Sequence, residues 1–370
     1  MTPFGGGCRL AAHGHGKRSA VTGEGGGTRN RSAGAGSFPA PSTGEERLLR
    51  RILDVLPAPP GGGGKEAPHL ILGPGDDAAA FAWPGGGTLL LTTDAVEEGV
   101  HFDRSLHPPR AIGRRAVAAA VSDIAAMGGR PAGTLVSLVA PPADEAVAAR
   151  VAAAAAERAV ELGAPLVGGN ITAGKRIGLH VAVAGAAAPG APLLRRRGAK
   201  PGDGLFVTGD LGGAALGLAL VRRRGEGEMT RFDPEEEALV ARQLDPVPRL
   251  DAGAALAAAA HAGMDLSDGL ALDLHRLAAA SGVGASVEAA RVPLAGKGAR
   301  GLEAALFGGE DYELLIAGPP QEVIAAAGSA GVRVTRIGRV AAAGEGIRLE
   351  RAGGATEPLP RRGWDSWAVR

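Results

Sequence analysis

Residues 264–278, MDLSDGLALDLHRLA, join an apolar run to a turn of small residues and then to a helical pattern. The stretch places Asp265, Asp268 and Asp273 around that turn, within nine residues. Carboxylates beside apolar runs are costly to bury unless a cation compensates them. The stretch therefore predicts a strand–turn–helix unit with a cation close to its acids.

The same stretch predicts where its strand and helix begin and end. We expect a strand over 263–266 and a helix over about 269–280, ended by Gly282, because glycine readily forms a left-handed C-terminal cap. Two roles are open for Asp268, which either caps this helix or forms a site together with Asp265. The stretch AVSDIAAMGG also places Ser-Asp beside a helix, which favours two similar lobes, although a dipeptide match is a weak repeat signal.

Strand and helix patterns mix on the N-terminal side of this stretch and continue beyond it. EERLLRRILDVLP and ADEAVAARVAAAAAERAVELG have helical spacing, and Asp144 is placed to cap the second helix. GTLLLTTDAVEEGVHF and IGLHVAVAGAAA are typical of strands. These patterns predict an α/β or α+β fold with two layered lobes. The predicted divisions are a tail at 1–44, an N-terminal lobe at 45–188 and a C-terminal lobe at 189–370.

Composition limits the partners that the protein can have. Its 40 Lys and Arg residues balance 39 Asp and Glu residues, and aromatic residues make up 3% of the chain, so no nucleic-acid partner is expected. No apolar run is long enough to predict a membrane span. One cysteine, Cys8, fits a reducing compartment. The first 44 residues, rich in Gly, Ser and Arg, predict a disordered tail.

Acids recur where apolar runs meet turns of small residues. Any one of them is more often a cap or a surface turn than a ligand, but the whole set is hard to explain without cations. No histidine or cysteine accompanies them, which argues against zinc, whereas carboxylate and hydroxyl oxygens suit Mg²⁺ and phosphoryl chemistry. The recurring acids are Asp76, Asp77, Asp94, Asp123, Asp265, Asp268, Glu310 and Asp311.

Familiar nucleotide-binding motifs are absent from the sequence. GGGGKE at 61–66 lacks the Ser or Thr that follows Gly-Lys in a P-loop, and TGDLGGAALG is not a complete G-x-G-x-x-G motif. The motif set of the protein kinases is also missing. The sequence therefore argues against the P-loop and protein-kinase classes.

Seven motifs, taken in order, resemble those of the thiamine-monophosphate kinase family, within the aminoimidazole ribonucleotide synthetase-like superfamily. They are GPGDDAA, TTDAVEEGVHF, VSDIAAMGGRP, GGNIT, RRGAKPGDGLFVTG, MDLSDGLALDLHRLAAASGVGA and GGEDYELL. The resemblance implies ATP-dependent phosphorylation of thiamine monophosphate to thiamine diphosphate in the cytoplasm, with several Mg²⁺ ions. It also implies a homodimer in which the N-terminal lobes pair their sheets into a barrel, with ATP bound between lobes.

The resemblance implies roles for individual residues. Arg196 matches an arginine near the phosphates, although Arg195 and Arg197 leave its register open. Asp94, Asp123 and Asp265, which belong to the implied Mg²⁺ ligands, are expected to be central to catalysis. The implied Mg²⁺ ligands are Asp77, Thr92, Thr93, Asp94, Asp123, Asp265 and Asp268. The implied contacts to ATP are Gly169, Asn170, Arg196 and Ser267, and those to thiamine monophosphate are His101, Glu310 and Trp367.

The sequence departs from the family pattern at Asn170, where the family usually has aspartate. A neutral oxygen there is expected to weaken one Mg²⁺ site without abolishing activity. Trp364 is the alternative to Trp367, and the roles of Asp311 and Asp273 are open, with Asp273 expected to be structural. Two other functions are open as well: another ATP-using synthetase or kinase of the superfamily, and a nucleotide-binding dimer without catalysis.

Overall fold

The computed structural model describes residues 43–55, 69–227 and 231–367. Over these residues the chain forms two mixed α/β lobes, each built on its own β-sheet. None of the described helices is long and apolar enough to cross a membrane. The tail predicted for residues 1–44 lies outside the described residues, except for its last two positions.

The N-terminal lobe begins with a helix and is built around one sheet. Its helices, among the described residues, are α1 (Gly44–Val55), α2 (Pro109–Ala126) and α3 (Glu145–Glu161). Its strands are β1 (His69–Leu72), β2 (Ala79–Ala82), β3 (Thr88–Glu97), β4 (Arg130–Ala140), β5 (Leu166–Ala173) and β6 (Gly178–Ala187). The sheet order is β1-β2-β3-β6-β4-β5, in which β4 and β5 are parallel and the other neighbours are antiparallel. The two helices and two strands that the sequence patterns predict in this lobe are confirmed as α1, α3, β3 and β6.

Helices α2 and α3 cover one face of this sheet, and within the described parts of the chain the other face is left open. Small residues let the two helices pack closely, since a Cβ at Gly113 would lie only 2.2 Å from the backbone oxygen of Val151. Side chains alternate along each strand, so every second residue points away from the helices. Leu135 is exposed for this reason. Within the described residues the sheet does not close into a barrel.

The C-terminal lobe follows the segment 188–203 and contains a second sheet. Its described helices are α4 (Gly213–Gly225), α5 (Pro234–Leu244), α6 (Leu250–Leu256), α7 (Leu270–Ser281), α8 (Gly298–Phe307) and α9 (Pro320–Ser329). Its strands are β7 (Gly204–Thr208), β8 (Ala262–Asp265), β9 (Gly284–Glu288), β10 (Leu314–Gly318), β11 (Val334–Ala341), β12 (Ile347–Glu350) and β13 (Thr356–Pro358). The sheet order is β13-β12-β9-β11-β7-β10-β8, and its neighbours are antiparallel except for the parallel pair β9 and β12.

The stretch MDLSDGLALDLHRLA forms the predicted strand, turn and helix. Strand β8 ends at Asp265 and helix α7 ends at Ser281. Gly282 follows with a φ of 69°, the left-handed conformation that the sequence predicts for this position. The turn between β8 and α7 therefore consists of residues 266–269.

Two carboxylates that could have capped helices pair with arginines instead. Helix α7 has no side-chain cap, because the carboxylate of Asp268 pairs with Arg276 instead. Helix α3 has none either, because the carboxylate of Asp144 forms two hydrogen bonds with Arg104, at 2.6 and 2.9 Å. Arg276 lies eight residues from Asp268, and Arg104 lies 40 residues from Asp144.

Helix α2 belongs to the N-terminal lobe but also packs against α6 and β8 of the C-terminal lobe. Its approach to α6 requires glycine, since a Cβ at Gly253 would lie 1.8 Å from the backbone oxygen of Ala125. Helix α2 therefore carries its C-terminal residues directly to the junction between the lobes. The division at residue 188 falls just after β6 and stays a prediction.

Candidate active site

A cleft of about 700 Å³ lies between the two lobes. Its walls come from β3, α2, the turn after β8 and the segment before β10. Predicted site residues from widely separated parts of the chain meet there. Those that line the cleft are Asp77, Thr92, Thr93, Asp94, His101, Asp123, Arg196, Asp265, Ser267, Asp268, Glu310 and Trp367.

Three acids from different elements converge in this cleft. Asp77 precedes β2, Asp123 lies in the last turn of α2, and Asp265 ends β8. One carboxylate oxygen from each acid lies within 4.8 Å of those from the other two. We call these three residues the acidic trio. Because like charges at such distances repel, a bound cation or a proton would stabilise the trio.

Two hydroxyl groups fix the orientation of acids in the trio. Thr92 on β3 donates its hydroxyl hydrogen to Asp123. Ser122 on α2 donates to Oδ2 of Asp265 at 2.7 Å, and this bond joins the two lobes. These bonds hold the carboxylates in place but add no positive charge.

Arg196 contacts the trio from the segment between β6 and β7. Its side chain donates to Oδ1 of Asp77 through Nη2 and through Nε, the latter at 3.0 Å. Its backbone N–H donates to Oδ1 of Asp76 at 2.9 Å. Of the three consecutive arginines, it is Arg196 that lines the cleft. Oδ2 of Asp77 is buried and has no hydrogen-bond partner within the described part of the chain.

Burial and mutual repulsion raise the pKa values of Asp123 and Asp265. Desolvation is the larger cause for Asp123 and Asp265, and neighbouring carboxylates raise both pKa values further. The pKa of Asp94, close to Asp123, is raised to about 6 by burial and then by the charges of Asp268 and Glu45. Such shifts mean that the protein alone does not stabilise all of these negative charges.

The donor set of the trio fits a magnesium ion. It consists of carboxylate oxygens with hydroxyl groups nearby, and no histidine or cysteine belongs to the cluster among the described residues. Hard oxygen ligands suit Mg²⁺, which keeps part of its shell for water and phosphate oxygens. Oδ2 of Asp77, which has no hydrogen-bond partner among the described residues, is available as an oxygen ligand for such an ion.

Asp268 lines the same cleft but already has a cation from the protein. Arg276 on α7 donates to Asp268 and to Oδ1 of Asp273, the latter at 2.8 Å. Asp273 also accepts the backbone N–H of Asp268 at 3.0 Å. Asp273 therefore holds the turn after β8, and Asp268 is less available to a metal than the trio.

The residues predicted to contact the acceptor reach the cleft from three separate segments. Nδ1 of His101 accepts the backbone N–H of Glu97 at 3.1 Å, so a neutral ring carries its hydrogen on Nε2. A second cavity, of about 430 Å³, adjoins the cleft, and His101, Glu310 and Trp364 line both spaces. Trp367 lines the cleft and is 60% exposed.

Asp311, whose role the sequence left open, caps helix α4. Its carboxylate accepts the backbone N–H groups of Gly212 and Ala214 at 2.6 and 3.1 Å. Burial raises its pKa to about 7, although these two hydrogen bonds act in the opposite direction. Asp311 therefore positions the start of α4 rather than the cleft.

Gly169 and Asn170 are the predicted site residues that the structure does not bring to the cleft of this chain. They lie on β5, an edge strand whose residues are all exposed. The strand pairing runs from Asn170 through Ser137 to His180 and Ala95, on the face that α2 and α3 leave open. Their contacts to ATP stay a prediction.

Arg115 and Gln243 are residues of this region that the sequence analysis missed. Both are buried, and both bind the carboxylate of Glu310. A signal was present for Arg115, because a charged residue in the apolar helix pattern of α2 needs a buried partner. Gln243 gave no such signal, since its partner is set by tertiary packing.

Two family models match this chain, one after the other. The model of the AIR synthase related protein, N-terminal domain, matches residues 75–188, and that of the C-terminal domain matches residues 200–349. The fold and the acidic cleft therefore define an AIR synthase-related protein with both domains.

Curated relatives and a solved structure narrow this class. Thiamine-monophosphate kinase of Aquifex aeolicus is 37% identical over 299 residues, covering 78% of this chain and 91% of the relative. That of Escherichia coli K12 is 35% identical over 312 residues, covering 80% and 92%. A solved structure of AaThiL complexed with AMPPCP and TMP has a TM-score of 0.71 at 32% identity, covering 87% and 96%. The chain belongs to the thiamine-monophosphate kinase family.

Proposed function

We propose that the protein transfers the γ-phosphoryl group of ATP to the phosphate of thiamine monophosphate, which yields thiamine diphosphate and ADP. The acidic trio in the cleft between the lobes carries this proposal. The relative AaThiL is complexed with AMPPCP, an ATP analogue, and TMP. We place the reaction in the cytoplasm, because it uses ATP and because one cysteine in the chain fits a reducing compartment.

Magnesium is part of the proposal. Asp77, Asp123 and Asp265 would hold it, with Asp94 and Thr92 beside them. Bound Mg²⁺ would neutralise negative charge on the phosphate oxygens of donor and acceptor. Ligation of Mg²⁺ by Asp268 and by Thr93 stays a prediction. Asp268 already pairs with Arg276. Thr93 points to the face of β3 opposite to that of Thr92.

The chain's own contribution is positioning. The acceptor phosphate is already ionised near neutral pH, so its oxygen attacks the γ-phosphorus without a strong general base. The new P–O bond forms as the bond between the γ-phosphorus and the bridging oxygen of ADP breaks. Arg196 lines the cleft with its guanidinium held by Asp77, and it would place a fixed positive charge beside the transferred group.

The second cavity suits the rings of thiamine. Its apolar walls include Leu106, Leu218 and Phe307. Glu310 and His101 lie where this cavity meets the cleft, so a molecule in it would direct its phosphate toward the trio. A ligand pocket with mostly apolar walls and few polar groups is the usual arrangement for a small molecule.

We also propose a homodimer that forms through the open face and edge of the N-terminal sheet. Val167 and Ile171 on β5 are 66% and 79% exposed, and exposed apolar patches mark interfaces. Ile171→Glu is expected to give a monomer in light scattering. Val160→Glu, at an exposed valine on α3, is the matched control and should leave the dimer intact. A wild-type protein that is monomeric would refute the homodimer.

A panel of acceptors tests the proposed activity. With Mg²⁺ and ATP, we expect ADP release when thiamine monophosphate is added and none above background with free thiamine, which has no phosphate. Equal release with free thiamine would indicate a different kinase. Release with another acceptor alone would favour another synthetase of the superfamily, and no release with any acceptor would favour a binding protein without catalysis.

A further inference from the structure

Arg115 on α2 is buried and reaches both proposed contacts to the acceptor. Its Nη1 donates to the backbone oxygen of His101 at 3.2 Å, and its Nη2 donates to Oε1 of Glu310. His101 belongs to the N-terminal lobe and Glu310 to the C-terminal lobe. One guanidinium therefore joins the two segments that border the cleft and the second cavity.

Glu310 has a conformation that its surroundings have to enforce. Its φ is 70°, in the left-handed region that residues with a side chain rarely adopt. Its backbone N–H donates to the oxygen of Ser267 at 2.8 Å, in the turn after β8. Such strain persists only where neighbouring contacts fix it, and it concentrates at functional sites.

Both carboxylate oxygens of Glu310 are bound by buried side chains. Arg115 donates to Oε1, and Nε2 of Gln243 on α5 donates to Oε2 at 3.1 Å. The side chain of Glu310 is nevertheless 25% exposed, toward the spaces that it lines. The two donors thus fix the direction of a carboxylate that still faces the cleft.

We propose that Arg115 is a positioning residue for the acceptor, acting through Glu310 and through the backbone of His101. This inference rests on the proposed function, because it takes these two residues as contacts to thiamine monophosphate. Arg115 holds the Glu310 carboxylate in the orientation in which it contacts the acceptor. It also keeps the His101 segment at a fixed distance from that carboxylate. Gln243 completes the support from the C-terminal lobe.

The neighbouring Arg114 offers a matched control. It lies on the same helix and is as buried as Arg115, with 4% exposure each. It forms ion pairs with Glu161 at 2.7 Å and with Asp245 at 2.9 Å. Neither partner lines the cleft or the second cavity. Both arginines are therefore buried and paired with acids, but in different places.

The test compares Arg115→Lys with Arg114→Lys in the full chain, at concentrations corrected for folded protein by thermal unfolding. For Arg115→Lys we expect the KM for thiamine monophosphate to rise by about tenfold or more, the loss expected for one charge-assisted hydrogen bond. The KM for ATP should change by less than about twofold, because Arg115 does not contact the trio. Calorimetric binding of thiamine monophosphate should weaken in parallel with its KM.

Arg114→Lys should lower the melting temperature to a similar extent and leave both KM values unchanged. Equal KM values for thiamine monophosphate in the two variants would overturn the inference, and so would a loss of ATP affinity as large as that for the acceptor. Wild-type protein without acceptor-dependent turnover would instead refute the proposed function, so the two failures are distinguishable.

A second variant keeps the inference testable if Arg115→Lys does not fold. Gln243→Met removes the other donor to Glu310 and retains the side-chain volume. It should raise the KM for thiamine monophosphate in the wild-type background but have little effect in a Glu310→Gln background, because both changes act on the same carboxylate. Additive effects would show that Glu310 is not positioned by its buried donors.

Discussion

Two groups of buried acids in this chain differ in how their negative charge is balanced. Glu313, just before β10, accepts hydrogen bonds from Nε and Nη2 of Arg249, at 2.7 and 2.5 Å, and from the hydroxyl of Thr208 at 2.7 Å. One carboxylate is thus matched by one arginine. In the acidic trio, three carboxylates share one arginine among the described residues, Arg196, which donates to Asp77.

The difference shows what each group of acids is for. Where a carboxylate only has to be buried in the fold, the protein supplies its own cation, because an unpaired buried charge costs several kcal/mol. The trio combines close packing of acids, raised pKa values of Asp123 and Asp265, and an oxygen of Asp77 that has no hydrogen-bond partner among the described residues. These features fit the proposed site for a cation that binds together with the substrates.

Neutralising one acid in each group should separate activity from folding. Asp265→Asn is expected to lower kcat by about 100-fold or more, because it removes charge from the cation site while retaining an oxygen acceptor for Ser122. Glu313→Gln should keep kcat within about threefold of the wild type, since its partners are structural. Initial rates of ADP release at saturating substrates measure both. Unchanged kcat for Asp265→Asn would remove that residue from the site.

The effects of these two substitutions on stability should have the opposite order to their effects on kcat. Glu313→Gln is expected to lower the free energy of unfolding by about 1–3 kcal/mol, because the hydrogen bonds to Arg249 lose their charge. Asp265→Asn should not destabilise the protein in the presence of a chelator, since it relieves repulsion within the trio. Urea unfolding followed by circular dichroism, at pH 8 with EDTA, gives both values. A larger loss for Asp265→Asn than for Glu313→Gln would contradict this comparison.

The pH dependence of stability provides a finer test of the trio. Burial and neighbouring charges raise the pKa of Asp265 above its ordinary value of 3.8, so the folded state binds this proton more tightly than the unfolded state. The stabilisation is complete below about pH 4 and is lost as pH rises through the folded-state pKa. Without metal, we expect wild-type stability to fall more steeply than that of Asp265→Asn as the pH rises above the ordinary aspartate pKa of 3.8. Parallel curves for the two proteins would show that Asp265 is not strained by its neighbours.

Much of the fold and the identity of the acids could be predicted from the sequence, because both depend on local patterns. Periodicity gave α1, α3 and α7, and glycine gave the end of α7 at Gly282. The pairings of acids could not be predicted. Asp144 looked like a cap until the fold brought Arg104, 40 residues away, to it. Whether a carboxylate caps a helix, pairs with an arginine or faces a cleft is decided by residues far away in the chain.

The role of Asn170 is also decided by the tertiary fold. Of these substitutions, we expect its replacement to have the smallest effect on activity. It lies on the open face of the N-terminal sheet, whereas Asp94 and Thr92 point to the face covered by α2. Asn170→Asp should change the Mg²⁺ concentration for half-maximal activity by less than about twofold, because the new carboxylate adds no ligand to the trio. A tenfold lower requirement would show that pairing of two chains brings β5 to a cleft.

The account depends on a divalent cation bound among Asp77, Asp123 and Asp265. Crystals grown with Mn²⁺ and a non-hydrolysable ATP analogue allow the ion to be located by its anomalous scattering. We predict an anomalous peak within coordination distance of a carboxylate oxygen of each of these three residues. Anomalous peaks confined to other positions, with the three carboxylates left unligated beside the bound nucleotide, would contradict the account.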